Sequence, residues 1–205
     1  MDILVCAATE EEVSPLREIW FRKHNMDYLV SGVGMVATTH ALTKRLSEKH
    51  YDLAVNTGLA GAFTRSIQIG EVVRVTEDIF SELGAEDDDR FLSLKEIGLS
   101  GTDTFINLDE HLPKDPFPYR KVRSITVNTI HGNEKSIETV IKRFKPDIET
   151  MEGAAFFFVC GVEKIPCIQI RSISNYVEKR NRDAWNIPLA LQNLKQELSI
   201  VLEKI

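Results

Sequence analysis

Short apolar runs punctuate the chain: ILVCAA at Ile3–Ala8, DYLVSG, DLAVN at Asp52–Asn56, GEVVRV, VRSITVN and CIQI at Cys167–Ile170. Longer segments with helical spacing of apolar residues lie between several of them. That alternation builds a parallel or mixed sheet flanked by helices. The expected fold is therefore α/β, a central mixed β-sheet covered by helices. At 205 residues the chain can bury one sizeable core, and residues 1–205 read as one domain.

The first helix is predicted from about Glu10, with Val13, Leu16, Ile19 and Trp20 on its apolar side. A second covers MVATTHALTKRLSEKH and turns Val36, Leu42 and Leu46 toward the core. A third runs from Asn133 to Phe144, and an amphipathic last helix from Ala184 to Lys204. NTGLAGAF reads as a glycine-rich turn after DLAVN. The stretch from Asp78 to Tyr119, with its acidic cluster Glu86 to Asp89 and its proline-rich LPKDPFP, reads as excursions from the core. Phe156, Phe157 and Phe158 are consecutive, so a helix spreads them by roughly 100° each. Their helix is expected to be buried nearly all round, which carries the preceding Met151 and Glu152 deep into the structure.

Composition narrows the partners. A hydrophobic fraction of 43% and a charged fraction of 27% suit an ordinary globular protein, and no apolar stretch is long enough to span a bilayer. MDILVCAATEEE lacks the basic leader of a signal peptide, so a cytoplasmic location is expected. Cys6, Cys160 and Cys167 are odd in number, sit in apolar surroundings and have no metal-ligand spacing with histidine; they read as reduced core residues. A net charge of −6 with scattered basic residues gives no footprint for a nucleic-acid backbone. The expected partner is a small molecule.

Three constellations carry chemistry, and each has a plain structural alternative. In ATEEEV, Thr9 and Glu12 form the T-x-x-E of a helix capping box. Equally, Glu12 at the end of the first strand is placed to act as a general base, with adjacent carboxylates raising its proton affinity. Both readings stand at this level. In SGVGMVATTHAL, Gly32, Gly34 and Ala37 loosely match a dinucleotide-binding turn, but the acidic residue expected at the end of the following strand is missing. Close backbone approach, to packing neighbours or to a bound sugar, is the simpler use of those glycines. The third constellation sets Met151 and Glu152 beside IRSISN, where a buried strand ends on Arg171, Ser172, Ser174 and Asn175. A buried Glu152–Arg171 ion pair is the structural alternative. Such pairs add little stability, and polar groups at strand ends in open α/β sheets more often meet a ligand.

Taken together, ATEEEV, SGVGMVA, NTGLAGAF, ETMEGAAFFFVC and IRSISN resemble the purine nucleoside phosphorylase and nucleosidase superfamily, near its methylthioadenosine/S-adenosylhomocysteine nucleosidase branch. The likeness covers most of the chain except the middle. Within it, ELGAEDDDRFLSL and SNYVEKRNRDAW resemble the nucleosidases that split futalosine into hypoxanthine and dehypoxanthinylfutalosine in an alternative menaquinone route. The resemblance implies that Glu12 activates water and Glu152 binds the ribose hydroxyls, with Met151 and Gly61 lining the sugar and water site. It also implies that Arg171 and Ser174 fix the water and the base loop. No metal or redox cofactor is implied, and homo-oligomers in which a neighbour helps close the pocket are.

One departure from the pattern bears on the substrate. Adenine-releasing members read I-S-D, where the aspartate donates a proton to purine N7; here the residue is Asn175. An amide is no general acid at neutral pH, but it offers a donor and an acceptor to a 6-oxopurine edge, so hypoxanthine is the expected base. Aminofutalosine or methylthioadenosine/S-adenosylhomocysteine cleavage, and non-catalytic nucleobase binding, are the alternatives. Carboxylates in the first loop, where phosphorylases carry an anion-binding segment, favour water over phosphate as nucleophile. The benzoate of futalosine calls for a cation, with Arg180, Arg182 and Arg90 as candidates; His131 and Asn128 also fall near the predicted pocket.

Overall fold

A computed structural model describes residues 1–19, 21, 23–107 and 118–204. The elements follow in the order β1 (Asp2–Ala7), α1 (Glu10–Arg17), β2 (Asn25–Val30), α2 (Met35–Glu48), β3 (Leu53–Ala62), β4 (Val72–Phe80), β5 (Gly84–Asp87), β6 (Arg90–Ser93), β7 (Thr104–Ile106), β8 (Arg120–Thr126), α3 (Glu134–Phe144), β9 (Ile148–Thr150), α4 (Gly153–Glu163), β10 (Cys167–Tyr176) and α5 (Ile187–Lys204). A mixed sheet runs β10-β4-β8-β9-β3-β1-β2, with β7 added to β4 and β10 also paired to β3. The second pairing closes β3, β10, β4, β8 and β9 into a ring, while β1 and β2 extend from it as a parallel wing.

β3 makes this topology. Along one edge it pairs with β10 from Ala54 to Ala62. Along the other it holds β1 only at Leu53–Asn56, then β9, antiparallel, at Gly61 and Ala62. Between those partners, residues 57–60 border a gap in the sheet. β1 and β9 point their carboxyl ends at that gap from opposite directions, so the residues after each strand converge there. Gly58 has φ +146, a conformation that favours glycine, and a Cβ there would lie 2.6 Å from Glu12 Oε1.

The apolar runs form the core as expected: Ile3 to Ala7, Leu53 to Val55, Ile168 and Ile170 are all buried. Val13, Leu16 and Leu42 are buried and Ile19 and Leu46 partly so, while Trp20 lies outside the described residues. Val36 departs from expectation. It is 82% exposed: α2 begins at Met35, and in its first turn no described residue covers Val36. The NTGLAGAF segment is likewise no turn but the second half of β3, held extended by β10 on one side and β9 on the other.

The middle of the chain is also more ordered than its composition suggests. Asp78 to Phe80 belong to β4, and Glu86 to Asp89 form the tip of the β5–β6 hairpin, with Asp88 at φ 54. Except for Pro118, LPKDPFP lies outside the described residues. The triple phenylalanine is buried at Phe156 and Phe157, but Phe158 and Val162 emerge at 43% and 61% exposure, so α4 has one open side. Cys6 and Cys160 are buried, Cys167 is partly buried, and all three are free thiols. Burial pushes the Cys6 thiol up to about 12, which leaves it protonated and inert. No helix among the described residues is long and apolar enough to cross a membrane.

Candidate active site at the gap in the sheet

A cavity of ≈ 270 Å³ opens over the gap. Its wall includes Glu12, Gly61, Met151, Glu152, Ser174 and Asn175, six of the seven site residues picked out in the sequence. Thr9 precedes the first turn of α1, and Glu12 reaches back so that Oε2 accepts from Thr9 N at 3.0 Å and from Thr9 Oγ1 at 3.1 Å. Its other oxygen, Oε1, accepts from Leu59 N at 3.0 Å, an amide on the stretch of β3 that borders the gap. The capping role and the site role thus fall on one carboxylate. Glu10 and Glu11 stay outside: both are exposed, and Glu10 pairs with Arg17 at 3.3 Å.

Glu152 faces Glu12 from the end of β9. It is 6% exposed, and its Oε1 accepts from Gly34 N at 3.0 Å. That hydrogen bond explains the SGVGMVA motif. Gly34 takes φ +94 at the head of α2, which aims its amide and the positive end of the helix at the carboxylate. Burial raises the Glu152 carboxyl above its usual range and Glu12 adds to the effect, while Arg171 and the Gly34 amide oppose it.

Arg171 is not in the cavity wall, and it does not form the buried ion pair with Glu152 considered above. It is 1% exposed behind Gly58, where a Cβ would lie 2.7 Å from Nη1. Its Nε and Nη2 donate to Gln169 Oε1 at 3.1 and 2.9 Å, Nη2 also donates to Asn56 Oδ1, and Nη1 to Thr57 O at 3.3 Å. Gln169 Nε2 in turn donates to Asp78 Oδ2 at 2.8 Å. Thr126 Oγ1 and Ile79 N donate to the other Asp78 oxygen at 2.8 and 2.9 Å. Desolvation nonetheless lifts the Asp78 carboxyl to about 6. Gly153 is required above this network, since a Cβ would meet Asp78 Oδ2 at 2.1 Å and Gln169 Oε1 at 2.2 Å.

The polar end of β10 is shaped by a bulge. Pairing with β3 slips between Ile173 and Asn175, leaving Ser174 as the extra residue. Ser174 Oγ donates to Asn175 Oδ1 at 2.8 Å, and Asn175 Nδ2 donates to Tyr176 O at 3.0 Å, so the amide's orientation is set. Gly61 lets this amide approach the sheet: its Cβ would lie 3.2 Å from Asn175 Nδ2 and 3.7 Å from Glu149 Cγ.

His131, Trp185 and Arg180 also line the cavity, the Arg180 guanidinium lying 5.5 Å from the Trp185 ring. Arg182 sits in a 3-10 turn at Arg182–Ala184 and is not in the wall; nor is Arg90 of β6, which pairs with Glu96. Asn128 is also outside the wall, its amides held by Glu82. Sequence reasoning missed Glu149, Asp78 and Gln169. Gln169 is a polar residue inside the apolar run CIQI, a signal akin to the one that singled out IRSISN, whereas Glu149 in IET and Asp78 in EDIF have polar neighbours and carry no such signal.

Residues 3–205 match the phosphorylase superfamily. A futalosine hydrolase of Acidothermus cellulolyticus is 31% identical over 82% of this chain and 72% of its own length. One from Streptomyces coelicolor is 30% identical over 86% and 80% respectively. Among solved structures, a futalosine hydrolase mutant of Helicobacter pylori superposes with a TM-score of 0.87 over 100% of both chains at 16% identity, a likeness of fold.

Proposed function

The chain belongs to the phosphorylase superfamily, and from that premise we propose that it is a nucleosidase that hydrolyses the N-glycosidic bond of futalosine, releasing hypoxanthine and dehypoxanthinylfutalosine for menaquinone synthesis. The observation that carries the reading is the pair of carboxylates, Glu12 and Glu152, brought to one cavity from the ends of β1 and β9. Glycosidic cleavage passes through an oxocarbenium-like sugar, which needs an activated water on one face and a held ribose. Glu12 takes the proton of the attacking water, its carboxylate oriented by Leu59 N and Thr9. Glu152 accepts from the ribose hydroxyls beside Met151. Arg171 acts from beneath Gly58, adding positive potential under the water rather than touching it.

Ser174 holds Asn175 toward the base, where an amide suits hypoxanthine. Glu12, Glu149 and Glu152, three of the four carboxylates in the wall, disfavour a phosphate beside the sugar, which supports water as nucleophile. Arg180, over Trp185 in the wall, is the cation for the benzoate. The protein works in the cytoplasm as a homo-oligomer, a second copy covering the exposed side chains of the packed α2–α4 pair. Val33, in the wall and 56% exposed, joins that face to the cavity.

Chromatography of the bases released from futalosine, aminofutalosine, inosine and methylthioadenosine, with and without phosphate, tests the reading. Hypoxanthine from futalosine at a rate indifferent to phosphate is expected. Faster adenine release, or a requirement for phosphate, overturns the choice of base or of nucleophile, and no release from any substrate supports a nucleobase binder.

A further inference from the structure

The nucleosidase reading leaves one proton without a source. When C1′–N9 breaks, the bonding electrons go to the purine, and a 6-oxopurine leaves as an anion unless a donor meets it. Asn175 is not an acid. The cavity holds a group that is. His131 lies just before α3, and its Nδ1 is 2.7 Å from Glu149 Oε2 while its backbone amide donates to Glu149 Oε1 at 3.1 Å. This two-point grip by a carboxylate that is 5% exposed fixes the ring, with Nδ1 turned to Glu149. Among the described residues Nε2 has no hydrogen-bond partner. Both residues line the cavity, and Phe63 packs edge-on to the imidazole with centroids 6.3 Å apart.

The pair also stands on the base side. Gly61 brings Asn175 Nδ2 and Glu149 Cγ to within 3.2 and 3.7 Å of one point, so the amide and the His131–Glu149 pair flank the same few ångströms of cavity. Glu12 lines the same cavity at a separate point, held on Leu59 N two residues back along β3. One cavity thus holds an acid for the departing base and a base for the water, the two groups that displacement of a base by water requires.

We propose that His131, held by Glu149, is the general acid that protonates the departing 6-oxopurine at its N7–O6 edge, with Glu149 as its positioning residue. This rests on the nucleosidase reading. The imidazolium gives up its Nε2 proton as C1′–N9 cleaves, the water oxygen bonds to C1′, and Glu12 takes the water's proton. One water is consumed, a neutral base leaves, and solvent returns Glu12 and His131 to their starting states.

The test compares futalosine with 7-methylfutalosine, whose base carries a fixed positive charge and leaves neutral without an acid. In His131→Gln, kcat on futalosine should fall by about 10²-fold or more, and kcat on the 7-methyl substrate by less than about threefold. Glu149→Gln should show the same selectivity with a smaller loss, about tenfold on futalosine. Retained turnover of the methylated substrate also shows that each variant is folded. Equal losses on both substrates, or no loss on futalosine, overturn the role of His131 while leaving the nucleosidase reading intact. Wild-type protein that releases no base from either substrate overturns the reaction itself, and this inference with it.

Discussion

Glu12 is asked to do two things, and they can be separated. Its carboxylate accepts three hydrogen bonds, one from Leu59 N and two from Thr9. Glu12→Gln keeps the shape and one oxygen acceptor but turns an NH2 toward donors, so a modest loss of stability accompanies any loss of chemistry. Removal of a water-activating base leaves the grip on the nucleoside almost untouched. The expected outcome is turnover lower by about 10²–10⁴-fold with substrate affinity within about tenfold, read by steady-state kinetics and by equilibrium binding of the product base. Turnover equal to wild type would remove Glu12 from the mechanism and leave it as a helix cap alone.

At the scale of elements, the packed pair α2 and α4 carries side chains that a solitary subunit leaves in water: Val36 at 82% exposure, Phe158 at 43% and Val162 at 61%. A point change on a solvated surface alters stability by no more than about 0.5 kcal/mol, whereas a charge placed in a covered apolar contact is expensive. Val36→Asp therefore discriminates. Sedimentation should give an oligomer for the wild type and a smaller species for the variant, both folded; a monomeric wild type would retire the proposed interface. The same elements show what the sequence made legible. Apolar runs revealed β1, the start of β3 and β10, because a strand buried on both faces is hydrophobic whatever its partners. Glu12, Glu152 and Asn175 were legible as polar residues at the ends of such runs. The continuation of β3 through NTGLAGAF was not, since glycines that signal a turn locally serve here for close approach, Gly58 beneath Glu12 and Gly61 beneath Asn175. Val36 fell on the apolar stripe of α2, and helical period alone carries no record of which turns of that stripe another element covers. The His131–Glu149 contact joins residues 18 apart through β9 and the loop before α3, and no spacing rule connects them.

Across the whole molecule, one buried polar chain ties the wing of the sheet to the ring. It runs from Asp78 in β4 through Gln169 and Arg171 in β10 to Asn56 in β3, whose Nδ2 donates to Cys6 O in β1 at 3.1 Å. Every link has a direction: Asp78 accepts, so Gln169 turns its NH2 that way and its oxygen toward Arg171. Asp78→Asn would set its NH2 either against the Gln169 NH2 or, turned over, against Ile79 N–H, and flipping Gln169 to relieve the first would set its NH2 against the guanidinium. The variant should lose about 1–3 kcal/mol from an unmatched buried group, together with activity as Arg171 drifts from beneath Gly58. Proton linkage adds a signature that a packing defect lacks. Burial raises the Asp78 carboxyl from 3.8 to about 6, so between those values the folded state holds a proton that the unfolded state has released. The contribution is present below the unfolded value and is lost as pH rises through the folded one. A shift of about two units corresponds to a change on the order of 2–3 kcal/mol. Glu152 is raised as well, and His24 is lowered by burial and acts in the opposite sense, but both are common to wild type and variant and cancel in the difference. Urea unfolding of both proteins from pH 4 to 7 should thus show the advantage of wild type over Asp78→Asn shrinking as pH rises to about 6, then holding level. A difference independent of pH would mean that Asp78 stays ionised throughout, with Gln169 and Thr126 sufficient to offset its burial.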